Sequence, residues 1–151
     1  MVKGALRTTM NPRHEKLCEI ADRYHIDLAY SFGSRAHEVK DFLRGLGELD
    51  KSSPSDVDIG VKLSPRPAVM LVKDKVKLAI DLEEVLGVGQ VDLVILSEAD
   101  PFLSANIVRG ERIFCRDPYL ADEYELYMLR RAGDLAPLEL ERLNMIFTKA
   151  S

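Results

Sequence analysis

Two aspartates, Asp56 and Asp58, stand one residue apart at the start of an apolar run that is typical of a buried strand. Because side chains alternate across a strand, both carboxylates should leave one face while Val57 leaves the other. Two like charges about 6 Å apart at an effective dielectric near 20 repel by roughly 3 kcal/mol. The pattern therefore indicates that a cation lies between the two carboxylates or that one of them is protonated.

A third aspartate, Asp92, also lies near the start of an apolar strand pattern, at 91–96. If that strand neighbours the one at 57–63, three carboxylates converge on one point. Such hard oxygen ligands suit Mg²⁺ or Mn²⁺, and two ions about 3.5–4 Å apart are the usual arrangement for in-line phosphoryl or nucleotidyl displacement. We therefore predict that Asp56, Asp58 and Asp92 are catalytic and hold two metal ions, with Asp92 taking the proton of an attacking hydroxyl.

A Gly-Ser pair separates the strand pattern at 27–32 from a helical pattern. Gly33 would let the backbone approach a ligand closely, and Ser34 offers a hydroxyl and an amide at a helix N-terminus, where anions are favoured. Arg35 adds a fork-shaped cation suited to phosphate. We predict that Gly33, Ser34 and Arg35 bind the phosphates of a nucleotide.

Each of these features also has a purely structural explanation. The aspartates could cap a loop or pair with Arg35, Asp92 could be a charge on an edge strand, and Ser34 could only cap a helix. The residues alone leave these alternatives open.

Taken together, three stretches resemble the DNA polymerase β-type nucleotidyltransferase superfamily and, within it, the small stand-alone minimal nucleotidyltransferases. They are SFGSRA at 31–36, SDVDIGV at 55–61 and VDLVIL at 91–96. The resemblance covers about residues 12–116. It implies that the Gly33-Ser34 turn binds the triphosphate and that the three aspartates bind divalent metal.

One departure from the family concerns the interval between Ser34 and Asp56, which is about twice the usual length. A helical stripe from Val39 to Leu49 fills much of it. The extra length favours a longer helix followed by a mobile loop over the site, and it also leaves open an altered substrate or a loss of activity.

The resemblance implies transfer of AMP from ATP to an acceptor hydroxyl, with release of pyrophosphate. It further implies a protein acceptor, because minimal nucleotidyltransferases often accompany a helical HEPN-type ribonuclease toxin and modify one of its tyrosines. Two alternatives stay open. One is an inactive, antitoxin-like module that neutralises a partner by docking, and the other is a small-molecule adenylyltransferase.

Composition narrows the class of protein. The 151 residues carry a net charge of −4 with 46% apolar and 30% charged residues, which fits one globular domain over 1–151 and disfavours nucleic-acid binding. Cys18 and Cys115 are far apart and fit free thiols in a reducing compartment, so we expect a cytoplasmic protein. We expect no membrane span, since no apolar run is long enough. Homo- or hetero-oligomers are compatible with these features.

Helix and strand patterns alternate along the chain, which predicts an α/β fold, α+β in stricter usage. We expect a mixed sheet of about four strands flanked by helices. We predict that residues 1–10 form a flexible arm. A helix is predicted over 69–86, with an apolar stripe made of Val69, Val72, Val76, Ala79, Leu82 and Leu86.

The segment 118–151 reads as helical, with a break near Gly133 and Pro137. Its apolar side chains predict either packing on the sheet or a surface for a partner.

Overall fold

The computed structural model describes residues 11–65 and 70–150, with the side chains of the last helix described up to residue 146. Five α-helices and four strands occur within these ranges. They are α1 (Pro12–Arg23), β1 (Ile26–Phe32), α2 (Ala36–Leu43), β2 (Val57–Leu63), α3 (Val72–Leu86), β3 (Val91–Ile95), α4 (Pro101–Val108), β4 (Glu111–Cys115) and α5 (Pro118–Ala150). The arm predicted at 1–10 lies outside the described residues.

The four strands form one mixed sheet in the order β3-β2-β1-β4. Strand β1 is antiparallel to both β2 and β4, whereas β2 and β3 are parallel. This confirms the predicted α/β class with a mixed sheet of four strands. A parallel pair needs a crossover connection, and α3 supplies it between β2 and β3.

Each face of the sheet carries its own apolar core. Val57, Ile59 and Val61 pack with buried residues of α1, α2 and α3 on one face. Leu28, Tyr30, Phe32 and buried residues of α4 and α5 form the core of the other face. Leu28, Tyr30 and Phe32 therefore share one face of β1.

A buried polar network holds α5 against the sheet. The hydroxyl of Tyr30, which is fully buried, donates to Glu125 Oε1 at 2.5 Å. Arg112 Nη2 donates to the same oxygen at 2.6 Å and to Asp122 Oδ1 at 2.9 Å. Burial, reinforced by Glu125, raises the pKa of Tyr30 far above its ordinary value, so its hydroxyl remains a donor.

Helix α2 ends at Leu43, so the longer helix expected through Leu49 is wrong. Gly45 has φ +81 and Gly47 has φ +98, a left-handed conformation that glycine adopts without steric cost and that ends a helix. Leu46 is 65% exposed, whereas Leu49 is buried although it is not helical. The apolar stripe therefore extends to Leu49, six residues beyond the last residue of the helix.

Helix α3 buries only part of the predicted stripe. Leu82 and Leu86 of that stripe are buried, together with Leu78, whereas Val72 and Val76 are exposed. The prediction is therefore confirmed for the second half of the helix and wrong for the first. The predicted start at Val69 lies outside the described residues.

Helix α5 is continuous through Gly133 and Pro137, so the predicted break there is wrong. A proline inside a helix leaves one carbonyl without its amide donor. The side chains around this turn are mostly exposed, so water can satisfy that carbonyl. None of the helices in the described ranges combines the length and hydrophobicity needed to cross a membrane.

Gly60 on β2 allows the close approach of α4. A Cβ on Gly60 would lie 2.5 Å from Cγ2 of the buried Ile107. We expect Gly60→Ala to lower the free energy of unfolding by about 1–3 kcal/mol through overpacking. Urea denaturation measures it.

Gly133→Ala is the matched control, because nothing lies within 4 Å of its Cβ position. In a helix this change should leave stability unchanged or raise it by up to about 1 kcal/mol. Equal effects of both substitutions would contradict the packing argument.

Candidate active site

Asp58 and Asp92 are direct neighbours on two parallel strands. The register pairs Val57 with Val91 and Asp58 with Asp92, and adjacent strands are about 4.8 Å apart. Both carboxylates leave the sheet on the face opposite Val57. The premise that the strand carrying Asp92 neighbours the one carrying Asp58 is therefore confirmed.

The two carboxylates interact unfavourably. Burial raises the pKa of Asp58, and the charge of Asp92, a hydrogen bond with it and the charge of Asp56 raise it further. Asp56 itself is exposed, immediately before β2. Across the described side chains, no Lys, Arg or His forms an ion pair with any of these three aspartates. The site therefore carries uncompensated negative charge.

The turn after β1 packs directly against this pair. Phe32 pairs with Asp58 across β1 and β2, and the next residue, Gly33, has φ +76. A Cβ on Gly33 would lie 2.3 Å from Asp58 Oδ2. Glycine is therefore needed at this position both for the backbone conformation and for the close approach of the carboxylate.

Ser34 lies in a single 3₁₀ turn, Gly33–Arg35, which runs into α2. Its side chain is exposed. The capping positions of the 3₁₀ turn and of α2 are Phe32 and Arg35, and neither has a side-chain cap bond. Ser34 is thus not the helix cap that the purely structural explanation required. It directly follows Gly33, the residue that packs against Asp58.

Arg35 has a different environment from the one its sequence position suggests. It is only 6% exposed. Its guanidinium makes two hydrogen bonds to Glu38, at 3.0 and 2.8 Å, and donates to the carbonyls of Asp50 at 2.8 Å and Ser55 at 3.2 Å. Since four of its five N–H groups are used within the fold, Arg35 positions Glu38 and the backbone of residues 50 and 55, and its phosphate contact stays a prediction.

Residues 44–56 connect α2 to β2, and we call them the anchored segment. Arg35 holds its second half, and Arg13 of α1 holds its first. Arg13 Nη1 donates to the carbonyls of Phe42 at 3.0 Å and Gly47 at 2.7 Å, and Arg13 also pairs with Glu48. Arg13 and Glu38 were not predicted from the sequence. Arg13 binds backbone carbonyls, which any residue type provides, so no pattern of residue types marks these contacts.

The electrostatics of the Arg35–Glu38 pair reinforce this anchor. Hydrogen bonds from Arg35, and then from the backbone N–H of Asp50, hold the pKa of Glu38 below its ordinary value. Glu38 therefore stays ionised at neutral pH and accepts from both partners.

A cleft of about 290 Å³ lies between the anchored segment and the turn from α3 to β3. Its lining residues are Arg35, Lys51, Ser53, Ser55, Asp56, Val88, Gly89 and Gln90. Cavities of about 390 and 440 Å³ occur elsewhere, near Tyr24 and near Tyr124. Neither larger cavity contains a predicted site residue, whereas the smaller cleft contains two, Arg35 and Asp56.

Comparison with known proteins identifies the family. The sequence model of the family described as Polymerase beta, Nucleotidyltransferase matches residues 15–119, more than half of the chain. The chain belongs to this nucleotidyltransferase family. No curated protein sequence matches it significantly.

Several solved structures share this nucleotidyltransferase fold. A mutant MntA–HpeT toxin–antitoxin structure has a TM-score of 0.64 at 18% identity, covering 91% of this chain and 98% of the other. A toxin–antitoxin structure with AMP-PNP scores 0.61 at 19% identity, with 91% and 98% covered. A tri-AMPylated Shewanella oneidensis HEPN toxin in complex with MNT antitoxin scores 0.61 at 19%, with 92% and 97% covered. At these identities the likeness is one of fold.

The donor chemistry of the nucleotidyltransferase site fits a hard divalent cation. Carboxylate oxygens are the ligands that Mg²⁺ prefers, and Asp58 and Asp92 face each other without a counter-charge. Within the described residues, however, no three His, Cys, Asp or Glu side chains are grouped so as to hold a metal ion. Two carboxylates are in place, and the metal assignment of all three stays a prediction.

The pKa of Asp58 has a consequence for stability. Because it is raised in the folded protein, ionisation of Asp58 costs stability; that cost is absent below the ordinary pKa of 3.8 and appears as pH rises through the raised value. We expect Asp58→Asn to raise the free energy of unfolding of the metal-free protein at pH 7, with a smaller gain at pH 3.8 or below. Urea denaturation with a chelator at both pH values measures this.

The exposed Asp134 of α5 provides the control substitution. Asp134→Asn should change stability little at either pH. A loss of stability in Asp58→Asn at pH 7 would contradict the repulsion argument.

The anchoring role of Arg35 is also testable. Lysine keeps the charge of arginine but cannot reach Glu38 and two carbonyls at once. We expect Arg35→Lys to speed tryptic cleavage after Arg44 and Lys51 several-fold, because local opening becomes easier. Mass spectrometry of a digestion time course reports the sites.

Arg23→Lys is the control, since Arg23 forms an exposed ion pair with Asp81 and neither residue belongs to the anchored segment. Its cleavage pattern should match that of the wild type. An unchanged rate in Arg35→Lys would argue against the anchor.

Proposed function

We propose that this nucleotidyltransferase moves AMP from ATP onto a hydroxyl group of a partner protein. The observation that supports this most directly is the register of β2 and β3, which sets Asp58 beside Asp92. The Gly33 turn packs against the same carboxylates. A turn suited to phosphates and a pair of carboxylates thus adjoin, as a nucleotidyl transfer site requires.

The proposed reaction is a substitution at the α-phosphorus of ATP. The acceptor oxygen forms a bond to that phosphorus, the bond to the β-phosphate oxygen breaks, and pyrophosphate leaves with the electron pair. The acceptor proton passes to a carboxylate oxygen of Asp92. The backbone at Gly33 and the hydroxyl of Ser34 hold the phosphate oxygens in line for this attack.

Asp56, Asp58 and Asp92 would hold the metal, Mg²⁺ or Mn²⁺, as two ions. When bound, the metal neutralises charge on the phosphates and lowers the pKa of the attacking hydroxyl. The residues' own contribution is a fixed set of anionic oxygens, whose repulsion in the metal-free protein favours a bound cation.

The proposed acceptor is a HEPN-type helical protein. The similar folds include a tri-AMPylated HEPN toxin bound to an MNT antitoxin and a toxin–antitoxin structure with AMP-PNP. The net charge of −4 also suits a protein acceptor better than a nucleic acid. The proposal places the reaction in the cytoplasm, where ATP and reduced thiols occur together.

A second candidate function is neutralisation of a partner by docking alone. Two observations favour it: no three-residue metal group is assembled among the described side chains, and the second half of α5 exposes Leu138, Leu140 and Met145. Exposed apolar side chains of this kind suit an interface.

Label transfer distinguishes the two functions. We expect ATP labelled at the α-phosphate, incubated with Mg²⁺, this chain and HEPN-type proteins of the same organism, to label one of them. Asp58→Asn should lower the rate by about 100-fold or more, since it removes one anionic metal ligand. Ser34→Ala should lower it less, by about tenfold, since it removes one phosphate donor.

Asp134→Asn is the matched control, and it should label at the wild-type rate. If the partner binds tightly and no label is transferred by the wild type, the docking function replaces transfer. If Asp58→Asn retains full activity, the carboxylate pair is not the catalytic site.

A further inference from the structure

Lys51 is a cation in the cleft beside Asp56 that the fold does not use. It lines the cleft together with Asp56 and Gln90. Unlike Arg35, the other cationic residue of the lining, it forms no ion pair or hydrogen bond through its ammonium with the described residues. Its charge is therefore available to a ligand.

The backbone around Lys51 is held on both sides. The N–H of Asp50 donates to Glu38 Oε1 at 2.8 Å, and its carbonyl accepts from Arg35 Nη2 at 2.8 Å. Asp50 Oδ1 then accepts from the N–H of Ser52 at 2.9 Å and from its hydroxyl at 2.6 Å. Such a turn, closed by an aspartate side chain, restricts the backbone at the residue between.

The side chain of Lys51 extends across the cleft. Its Cε lies 3.8 Å from the position that a Cβ would take on Gly87, at the end of α3. The lysine therefore bridges from the anchored segment toward the turn that leads into β3. Asp56 and Gln90, the residues just before β2 and β3, lie in the same cleft.

We propose that Lys51 binds the β- and γ-phosphates of the incoming nucleoside triphosphate. This inference rests on the proposed function and adds a residue to it. Arg35, which follows Ser34 directly and also lines the cleft, connects this position to the phosphate turn. Lys51 thus supplies the positive charge that Arg35, committed to Glu38 and two carbonyls, does not.

The choice of phosphate as the recognised group follows from charge. The carboxylates at 56, 58 and 92 repel a polyanionic ligand, and Lys51 is the unpaired cation of this cleft among the described residues. An ammonium on a flexible stem binds a phosphate oxygen as a point charge. A nucleobase or ribose would gain nothing from a full positive charge at this position.

Comparing ATP with AMP tests the assignment, because the two ligands differ in the phosphates that Lys51 is proposed to bind. Calorimetry with Mg²⁺ should show that Lys51→Ala weakens ATP binding about tenfold while AMP binding changes less than twofold. Lys51→Arg should retain ATP binding within about threefold, since it keeps a cation. Lys16→Ala, at an exposed position of α1, is the control and should bind both ligands as the wild type does.

The outcomes separate this inference from the proposed function. Unchanged ATP binding in Lys51→Ala, or equal weakening of ATP and AMP, would overturn the role of Lys51 while leaving transfer in place. A wild-type chain that binds no ATP would overturn both. Circular dichroism of each variant shows whether the fold is retained.

Discussion

The structure of the site depends on one electrostatic constraint, which is that two carboxylates are held side by side by strand register. Parallel pairing sets the backbones of Asp58 and Asp92 side by side, so both side chains leave the same face of the sheet. Neither residue can move away without shifting the whole strand. Elsewhere in the described chain, carboxylates such as Glu38 and Glu125 have arginine partners. Asp58 and Asp92 have no such partner among the described residues, so their repulsion is relieved either by a bound cation or by protonation of Asp58, whose pKa is raised. A cost of this kind in the ligand-free protein is typical of functional sites.

The same register also positions the phosphate turn. Because Phe32 pairs with Asp58, the chain must leave β1 right beside that carboxylate, and only glycine fits at the next position. The turn and the acid pair are therefore coupled through a single antiparallel contact between β1 and β2. The strand pairing alone brings the turn and the carboxylates together. Their relative position therefore does not depend on the length of the segment between α2 and β2.

The strands could be predicted from the sequence because alternation and turn residues are local signals. The pattern at 57–63 and 91–96 predicted both strands and placed Asp58 and Asp92 on them, although only the fold shows that the strands are neighbours. Helix faces were harder, since the predicted stripe of α3 contains both Val76, which is exposed, and Leu82, which is buried, and only packing decides which members reach the interior. The role of Arg35 was not predictable, because two of its acceptors are carbonyls 15 and 20 residues further along the chain.

The long interval between Ser34 and Asp56 is compatible with an intact carboxylate pair. Lengthening a surface loop costs little entropy, about 0.6 kcal/mol for each doubling, so the extra residues need not disturb the β1–β2 pairing that builds the site. Their conformational freedom is removed by two arginines, Arg13 and Arg35, and by burial of Leu49. An anchored segment of this kind is a wall of the cleft, and it changes which groups line the approach to Asp56 without moving Asp58 or Asp92. An effect of this segment on activity would therefore arise from substrate access and contacts, not from loss of the acidic pair.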